Sequence, residues 1–361
     1  MTVARFFCTL FTASLCGLTM ATAQQTLPSS ALPAVPPAPH AIRLDVVVDT
    51  KSGQPVPNLG QQDFTLFDNK TPQPIRSFRV VTPAQEPVRV ILLLDAVNTP
   101  YRMAAYVRQE IDTFLKANGG KLAQSTSIAV LTDKGAQIQN QFSTNGMAMR
   151  DDLDRFQIAL RDINRDSQWS GIERFQISLT AFDQLINFAA ALPGRKIVVW
   201  ISPGWPLISG PEVDLTAKQQ QDLFSTIVSF STRLRDADMT LYNINPVGVM
   251  ESLERTDYYQ TFLKGVAKPG DVMPGNLGVQ VLAVQSGGLA TESDSDVAGM
   301  IHKCLADVSS WYEITFDPPP SEKPNEYHHI EIKLDQRDLT ARTRDGYYAN
   351  PTANPTFVRQ R

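Results

Sequence analysis

Val88-Arg89-Val90-Ile91-Leu92-Leu93-Leu94-Asp95 is an apolar run that stops on a carboxylate, and Ala96-Val97-Asn98-Thr99 follows it. A run that is apolar at both parities reads as a strand covered on both faces, the kind found in parallel sheets under helices. Helical spacing begins soon after, at Met103, Val107, Ile111 and Phe114. Open α/β sheets place ligands beyond the carboxyl ends of their strands, so Asp95 is the first candidate site residue.

The same alternation continues downstream. Ser127 to Leu131 reads as a short strand closing in the turn Thr132-Asp133-Lys134-Gly135, with Ile138 to Phe142 as its hairpin partner. Leu153, Phe156, Leu160 and Ile163 have helical spacing, as do Phe175, Leu179, Phe182, Ile186 and Ala189. Lys196 to Ile201 is a second continuous apolar strand. The helix pattern Leu223, Ile227, Phe230, Leu234 and the strand Met239 to Ile244 follow it. Strands alternating with helices of this length predict a doubly wound, mainly parallel sheet with helices on both faces. The stretch from Val249 to Val281, rich in Pro and Gly, reads as an irregular insertion, either functional surface or disorder.

On either side of this block the period is two. Ile42, Leu44, Val46 and Val48 share one parity, and Phe64 to Phe67 and Ile75 to Val81 are further strand candidates. Tyr312 to Phe316, His329 to Leu334 and Leu339 to Tyr348 mirror them at the other end. Each set is too small to be stable alone. The expected solution is that 41–85 and 311–350 pair into one β-sandwich, with the α/β block 86–310 inserted into it or docked beside it.

The first residues read as a signal peptide over 1–23. Arg5 precedes an apolar core from Phe6 to Met20, and Ala21-Thr22-Ala23 is a small-residue cleavage pattern. The Pro-rich stretch 24–40 reads as an extended tether, and 351–361 as a tail. No other segment approaches a transmembrane helix, so the expected localisation is exported, periplasmic or extracellular. Of the three cysteines, Cys304 alone follows the leader, on a helix face with Val297, Ile301, Leu305 and Val308, which reads as a buried structural thiol. The net charge of −4 is interspersed along the chain. That argues against a nucleic-acid partner.

Four stretches together resemble von Willebrand factor type A (VWA) domains, and specifically a VWA-related family of acidobacterial type. They are the Val-rich first strand with Gly53-Gln54-Pro55-Val56 and Asp63-Phe64, the strand end Leu94 to Thr99, Ser286-Gly287-Gly288, and Arg344-Asp345-Gly346-Tyr347-Tyr348. The resemblance covers roughly 41–350. It implies a VWA-like, Rossmann-type sheet and a divalent-metal site, Mg²⁺ or Ca²⁺, at the top of it. Asp95 matches the first ligand position and Thr99 the third. Val97 stands where a hydroxyl is expected and Pro203 where a late-loop Asp is expected, while Ser170 is a candidate loop hydroxyl. The implied site is incomplete, so the preferred role for Asp95 is capping the following helix.

Other constellations carry less. His328-His329 points to opposite faces of a strand and reads as surface histidines. Asp294-Ser295-Asp296 reads as a helix cap, and no nucleophile with a companion base is evident. The resulting expectation is a non-enzymatic protein-binding or scaffolding module with a degenerate metal-ion adhesion site and an unidentified protein partner. Its expected binding surface is Asp95, Asn98, Thr99, Ser170, Ser202 and Trp205, extended by the Val249–Val281 insertion; Trp205 reads either as an aromatic anchor or as partly buried against that insertion. The alternative is a divalent-metal-dependent adhesion-type receptor with substituted ligands.

Overall fold

The computed structural model describes residues 41–155, 168–206, 215–246, 258–291 and 294–351. The leader and tether expected over 1–40, the helical spacing at Phe156 to Ile163, and the tail beyond 351 lie outside them. The chain enters through β1 (Ile42–Thr50), β2 (Phe64–Asp68), β3 (Thr71–Gln73) and β4 (Ser77–Val81). The middle of the chain forms β5 (Val88–Asp95), β6 (Lys121–Thr132), β7 (Gly135–Ile138), β8 (Ser143–Asn145), β9 (Arg195–Ile201) and β10 (Met239–Ile244). It returns as β11 (Trp311–Phe316), β12 (Glu326–Leu334), β13 (Leu339–Arg342) and β14 (Gly346–Ala349). The helices are α1 (Tyr101–Lys116), α2 (Gly146–Arg155), α3 (Gln168–Ala190), α4 (Ala217–Asp236), α5 (Val279–Gln285) and α6 (Val297–Ala306).

The central sheet has the order β10-β9-β5-β6-β7, with β8 also on β6. β5 pairs in parallel with both β6 and β9, and β9 with β10; β7 and β8 are antiparallel to β6. Successive residues of β5 and β9 serve opposite faces, as strand geometry requires. Val90, Leu92, Leu94, Val199 and Ile201 pack against α1 and α6 through Val107, Ile111, Ile301 and Cys304. Ile91, Leu93, Val198 and Trp200 pack against α3, α4 and α5 through Phe182, Ile227 and Leu282. Apolarity at both parities follows from this double cover. Since the chain winds one way after β5 and the other way after β9, the gap between those two strand ends is the switch point of the sheet.

The remaining strands make two antiparallel four-stranded sheets, β13-β1-β11-β4 and β14-β12-β2-β3. Both sheets combine strands from the two ends of the sequence, alternating in the first and meeting at one β12–β2 pairing in the second: Val46 sits opposite Tyr312, and Ile330 opposite Asp68. Leu44, Val46, Phe64, Leu66, Ile314 and Phe316 fill the space between the sheets. Arg195, at the start of β9, joins this sandwich to the central sheet. Its Nε lies 3.3 Å from Asp45 Oδ2 of β1, and its guanidinium covers the Trp311 ring at 4.8 Å.

Four sequence expectations change, the first being the hairpin partner of β6, which is Gly135–Ile138 rather than Ile138 to Phe142 because the chain turns tightly at Asp133-Lys134. The described part of the insertion is not loose surface: 258–278 runs through short 3₁₀ turns and buries Val266, Val272 and Leu277 in the core shared with α4. Its apolar side chains compensate for its irregular backbone. β6 begins at Lys121 rather than Ser127, because its first half is only partly covered and shows no continuous apolar run. His328 and His329 do point to opposite faces, but only His329 is exposed. His328 is buried, with Nδ1 2.8 Å from Asp68 Oδ1, and Tyr347 donates to Asp68 Oδ2 at 2.6 Å. Cys304 lies in the core of α6, where burial pushes its thiol up to about 12.

Candidate functional site

Asp95 ends β5 on the face that carries Ile91 and Leu93, so its carboxylate points toward α3 and Trp200 rather than out of the sheet. The parallel register sets Leu93 opposite Trp200 and Leu94 opposite Ile201, which brings the Trp200 indole to the end of β5. Asp95 is completely buried. Its Oδ1 accepts the backbone N–H groups of Val97 at 3.1 Å and Asn98 at 2.9 Å. Its Oδ2 accepts Asn98 Nδ2 at 2.8 Å and Trp200 Nε1 at 2.9 Å. Burial pushes the carboxyl above the ordinary range, and these donors oppose the shift.

The network extends into α3. Asn98 Nδ2 also donates to Ser178 Oγ at 2.8 Å, and that hydroxyl donates to the Arg174 carbonyl at 2.8 Å. Asp95 therefore fixes the turn 96–99 in front of α1 and ties it to a helix on the other side. It does not cap α1. That helix begins at Tyr101 after Pro100, with no side-chain cap, and the carboxylate binds amides of the preceding turn.

Ser202 and Trp205 sit on the loop after β9. Ser202 is buried, its Oγ accepts Gly204 N at 3.0 Å, and its carbonyl accepts Asn243 Nδ2 at 3.1 Å. Trp205 is 4% exposed and packs edge-on to Trp200 at 5.3 Å and Phe182 at 5.8 Å. Thr99 is fully buried with Oγ1 unpartnered, and Asn98 Oδ1 is unpartnered beside it. Ser170 is buried in the first turn of α3. A Cβ placed on its neighbour Gly171 would meet Pro206 at 3.8 Å, so this helix start abuts the 202–206 loop.

All six expected surface residues are thus inside the protein. Their shared feature is position at the ends of β5, β9 and α3, not exposure. What is exposed at this rim is Tyr101, at 70% accessibility the most open large apolar residue among those described. The sequence signal for it is an aromatic directly after Pro100 at a helix start. Ser178 and Trp200 escape a sequence reading too, because a Ser inside a helix and a Trp inside an apolar strand read as core.

The carboxylate as it stands does not fit a hard cation. Such ions need oxygen atoms facing inward, and here both Asp95 oxygens already face N–H donors. Among the described residues no group of three His, Cys, Asp or Glu side chains is placed to hold a metal.

No protein-family model matches the chain, and no curated protein matches it. Solved structures similar to it include the PilB minor pilin from Streptococcus sanguinis, at 10% identity over 65% of this chain and 63% of that one, with a TM-score of 0.36. A point mutant of that pilin matches over 74% of this chain and 80% of its own, at 10% identity and a TM-score of 0.33. A manganese-loaded TRAP protein of Plasmodium vivax matches at 7% identity over 76% of this chain and 98% of its own, with a TM-score of 0.33. The architecture rests on the strand order and register above. No described helix is long and apolar enough to cross a membrane.

Proposed function

We propose that the chain is an exported, non-catalytic VWA-like module that binds a protein partner at the rim formed by the ends of β5 and β9. The observation that carries this reading is Tyr101, an exposed aromatic mounted just beyond a buried turn that is tied to Asp95 through the Val97 and Asn98 amides and the Asn98 side chain. Aromatics held on a rigid base make strong contact residues, because little side-chain entropy remains to be lost on binding. Asp95, Asn98, Thr99, Ser170, Ser202 and Trp205 act as the base and Tyr101 as the contact. The Asp95 carboxylate accepts four N–H groups, two on each oxygen, which occupies the lone pairs a general base would need and favours binding over chemistry. Export is supported by the leader pattern in 1–23.

The test starts from a partner isolated on the immobilised protein from native envelope extract, then titrated against point variants. Tyr101→Ala is expected to weaken binding about tenfold or more. Met147→Ala, a half-exposed apolar control elsewhere, should leave it unchanged. Equal affinities for Tyr101→Ala and the native chain would sink the assignment of this rim.

The unpartnered oxygens of Asn98 and Thr99 favour a second reading, a metal-dependent receptor with substituted ligands. Calorimetry with Mg²⁺, Ca²⁺ and Mn²⁺ separates the two. The degenerate-site reading expects neither heat nor thermal shift at millimolar metal.

A further inference from the structure

Between the sandwich and the central sheet lies a cavity of about 700 Å³, within the size range of small-molecule sites. The start of β1, the end of α4, the Pro318–Pro320 segment and the chain around β14 line it. Its acidic wall residues are each paired. Asp45 lies 3.3 Å from Arg195, Asp236 lies 3.2 Å from Arg235, Asp317 lies 2.7 Å from Arg76, and Asp238 pairs with Arg43. Arg344 is the exception. It lines the cavity, yet no carboxylate among the described residues comes within ion-pair distance of it.

The charges around this cation are mixed: Arg235 repels it, while Asp45 and Asp238 attract it without reaching ion-pair distance. Burial, followed by repulsion from Arg235, brings its guanidinium down to about 10, so it still carries its charge at neutral pH. Its backbone is clamped from behind. Arg342 Nη1 donates to the Gly287 carbonyl at 2.7 Å, and Asp345 N donates to the Gln285 carbonyl at 3.1 Å. Gly287, at φ +93°, lies so close that a Cβ there would stand 3.0 Å from Arg344 N. A half-buried guanidinium that lines an open cavity, with a second arginine nearby and no carboxylate at ion-pair distance, can take up an anion.

The lining also constrains which anion. Four carboxylates share these walls, so a second negative charge on a ligand meets repulsion, whereas a single one matches the one unpaired cation. Three consecutive prolines provide apolar wall beside it. We propose that this cavity binds a small organic monocarboxylate, its carboxylate forked on Arg344 beside Arg235 and its apolar body against Pro318–Pro320. The site is separate from the Tyr101 rim and stands or falls independently of it. A free acid and the carboxylate end of a peptide chain share this chemistry.

Calorimetric titration of the purified chain tests the proposal with four probes: benzoate, N-acetyl-phenylalanine, its uncharged amide, and inorganic phosphate. At least one acid is expected to bind in the millimolar range, with the amide about tenfold weaker or worse. Preference for benzoate identifies a free acid as the ligand, and preference for N-acetyl-phenylalanine identifies a chain end. Arg344→Gln should weaken the preferred acid about tenfold, and Arg235→Gln by a smaller factor. If Arg344→Gln does not fold, the amide arm on the native chain and the Arg235→Gln variant decide. Equal binding of acid and amide, no acid binding up to about 10 mM, phosphate binding more tightly than both acids, or undiminished acid binding by Arg344→Gln would each overturn it.

Discussion

Replacing Arg195 by Met removes one charge from the seam between the sandwich and the central sheet while keeping an apolar stem over Trp311. Arg195 is 2% exposed, and its partner Asp45 has a side chain only 14% exposed. Without the guanidinium, Asp45 becomes a buried carboxylate with its strongest counter-charge gone, a change that costs about 3–5 kcal/mol. The loss should depend on pH. In the native protein burial already holds the Asp45 carboxyl up at about 6, although Arg195 draws it down. A folded-state value above the ordinary 3.8 means that the native protein binds this proton more tightly than the unfolded chain. The stability this group contributes is therefore fully present below pH 4 and falls as pH rises through about 6. In Arg195→Met the carboxyl rises further, so the decline continues to higher pH. At pH 5 both proteins carry Asp45 mostly protonated, and the variant should lose only about 1 kcal/mol, mainly packing. At pH 8 the native carboxylate is ionised and paired, and the loss should reach about 3 kcal/mol or more. Urea unfolding followed by circular dichroism at the two pH values measures this directly. Adding Asp45→Asn to Arg195→Met should restore most of the pH 8 loss. A loss of the same size at pH 5 and pH 8 would refute the reasoning.

Trp205→Ala should cost about 3–5 kcal/mol in urea unfolding, because it empties a site bounded by Trp200, Phe182 and Phe175. Tyr101→Ala should change stability by no more than about 0.5 kcal/mol, since its side chain is largely in solvent. Cys304 should resist iodoacetamide at pH 8 in the folded protein and react on unfolding, as read from the mass of its peptide. Its buried thiol titrates near 12. Gly288→Ala places a Cβ 1.8 Å from the Leu241 carbonyl, so β10 must move. A loss of about 2 kcal/mol or more is expected, with faster hydrogen exchange at the Leu241 amide, which donates to Ser286 Oγ at 2.9 Å.

The parts of the fold legible in the sequence are those whose burial is uniform. β5, β9 and β10 are covered on both faces, so nearly every residue has to be apolar, and the strands can be read within a residue or so of their ends. The sandwich strands are legible through alternation, because one face of each sheet meets the core and the other meets solvent or the seam. Half-covered elements are harder. The first half of β6 mixes exposed and buried positions without a clean period. The segment 258–278 buries apolar side chains from an irregular backbone, so Pro and Gly dominate a reading that should weight Val266, Val272 and Leu277. His328 is hidden for another reason: its partner Asp68 lies 260 positions away, and only the pairing of β12 with β2 brings them together.

Asp95 shows where local reading stops. Its position at a strand end beside the switch point follows from letters within a short window. Its environment does not, since the indole that meets Oδ2 belongs to Trp200, 105 positions on, and the hydroxyl completing the network belongs to Ser178. A buried carboxylate at this position needs positive charge from somewhere. The resemblance to VWA domains implies a bound cation as its source. Here the second ligand position is Val97, and Val97 and Asn98 amides, the Asn98 side chain and the Trp200 indole each present N–H instead. Four partial charges at hydrogen-bond distance satisfy the oxygens in place of an ion, and they also lock the turn that leads to Tyr101. On the proposed reading, an ion-dependent contact has been exchanged for a permanently fixed one, with the aromatic outside and the carboxylate as its internal anchor. The discriminating result is Asp95→Asn: it should loosen the 96–99 turn and weaken partner binding without altering any response to Mg²⁺. An Mg²⁺ response in the native chain that disappears in Asp95→Asn would mean that the N–H donors yield to a cation after all.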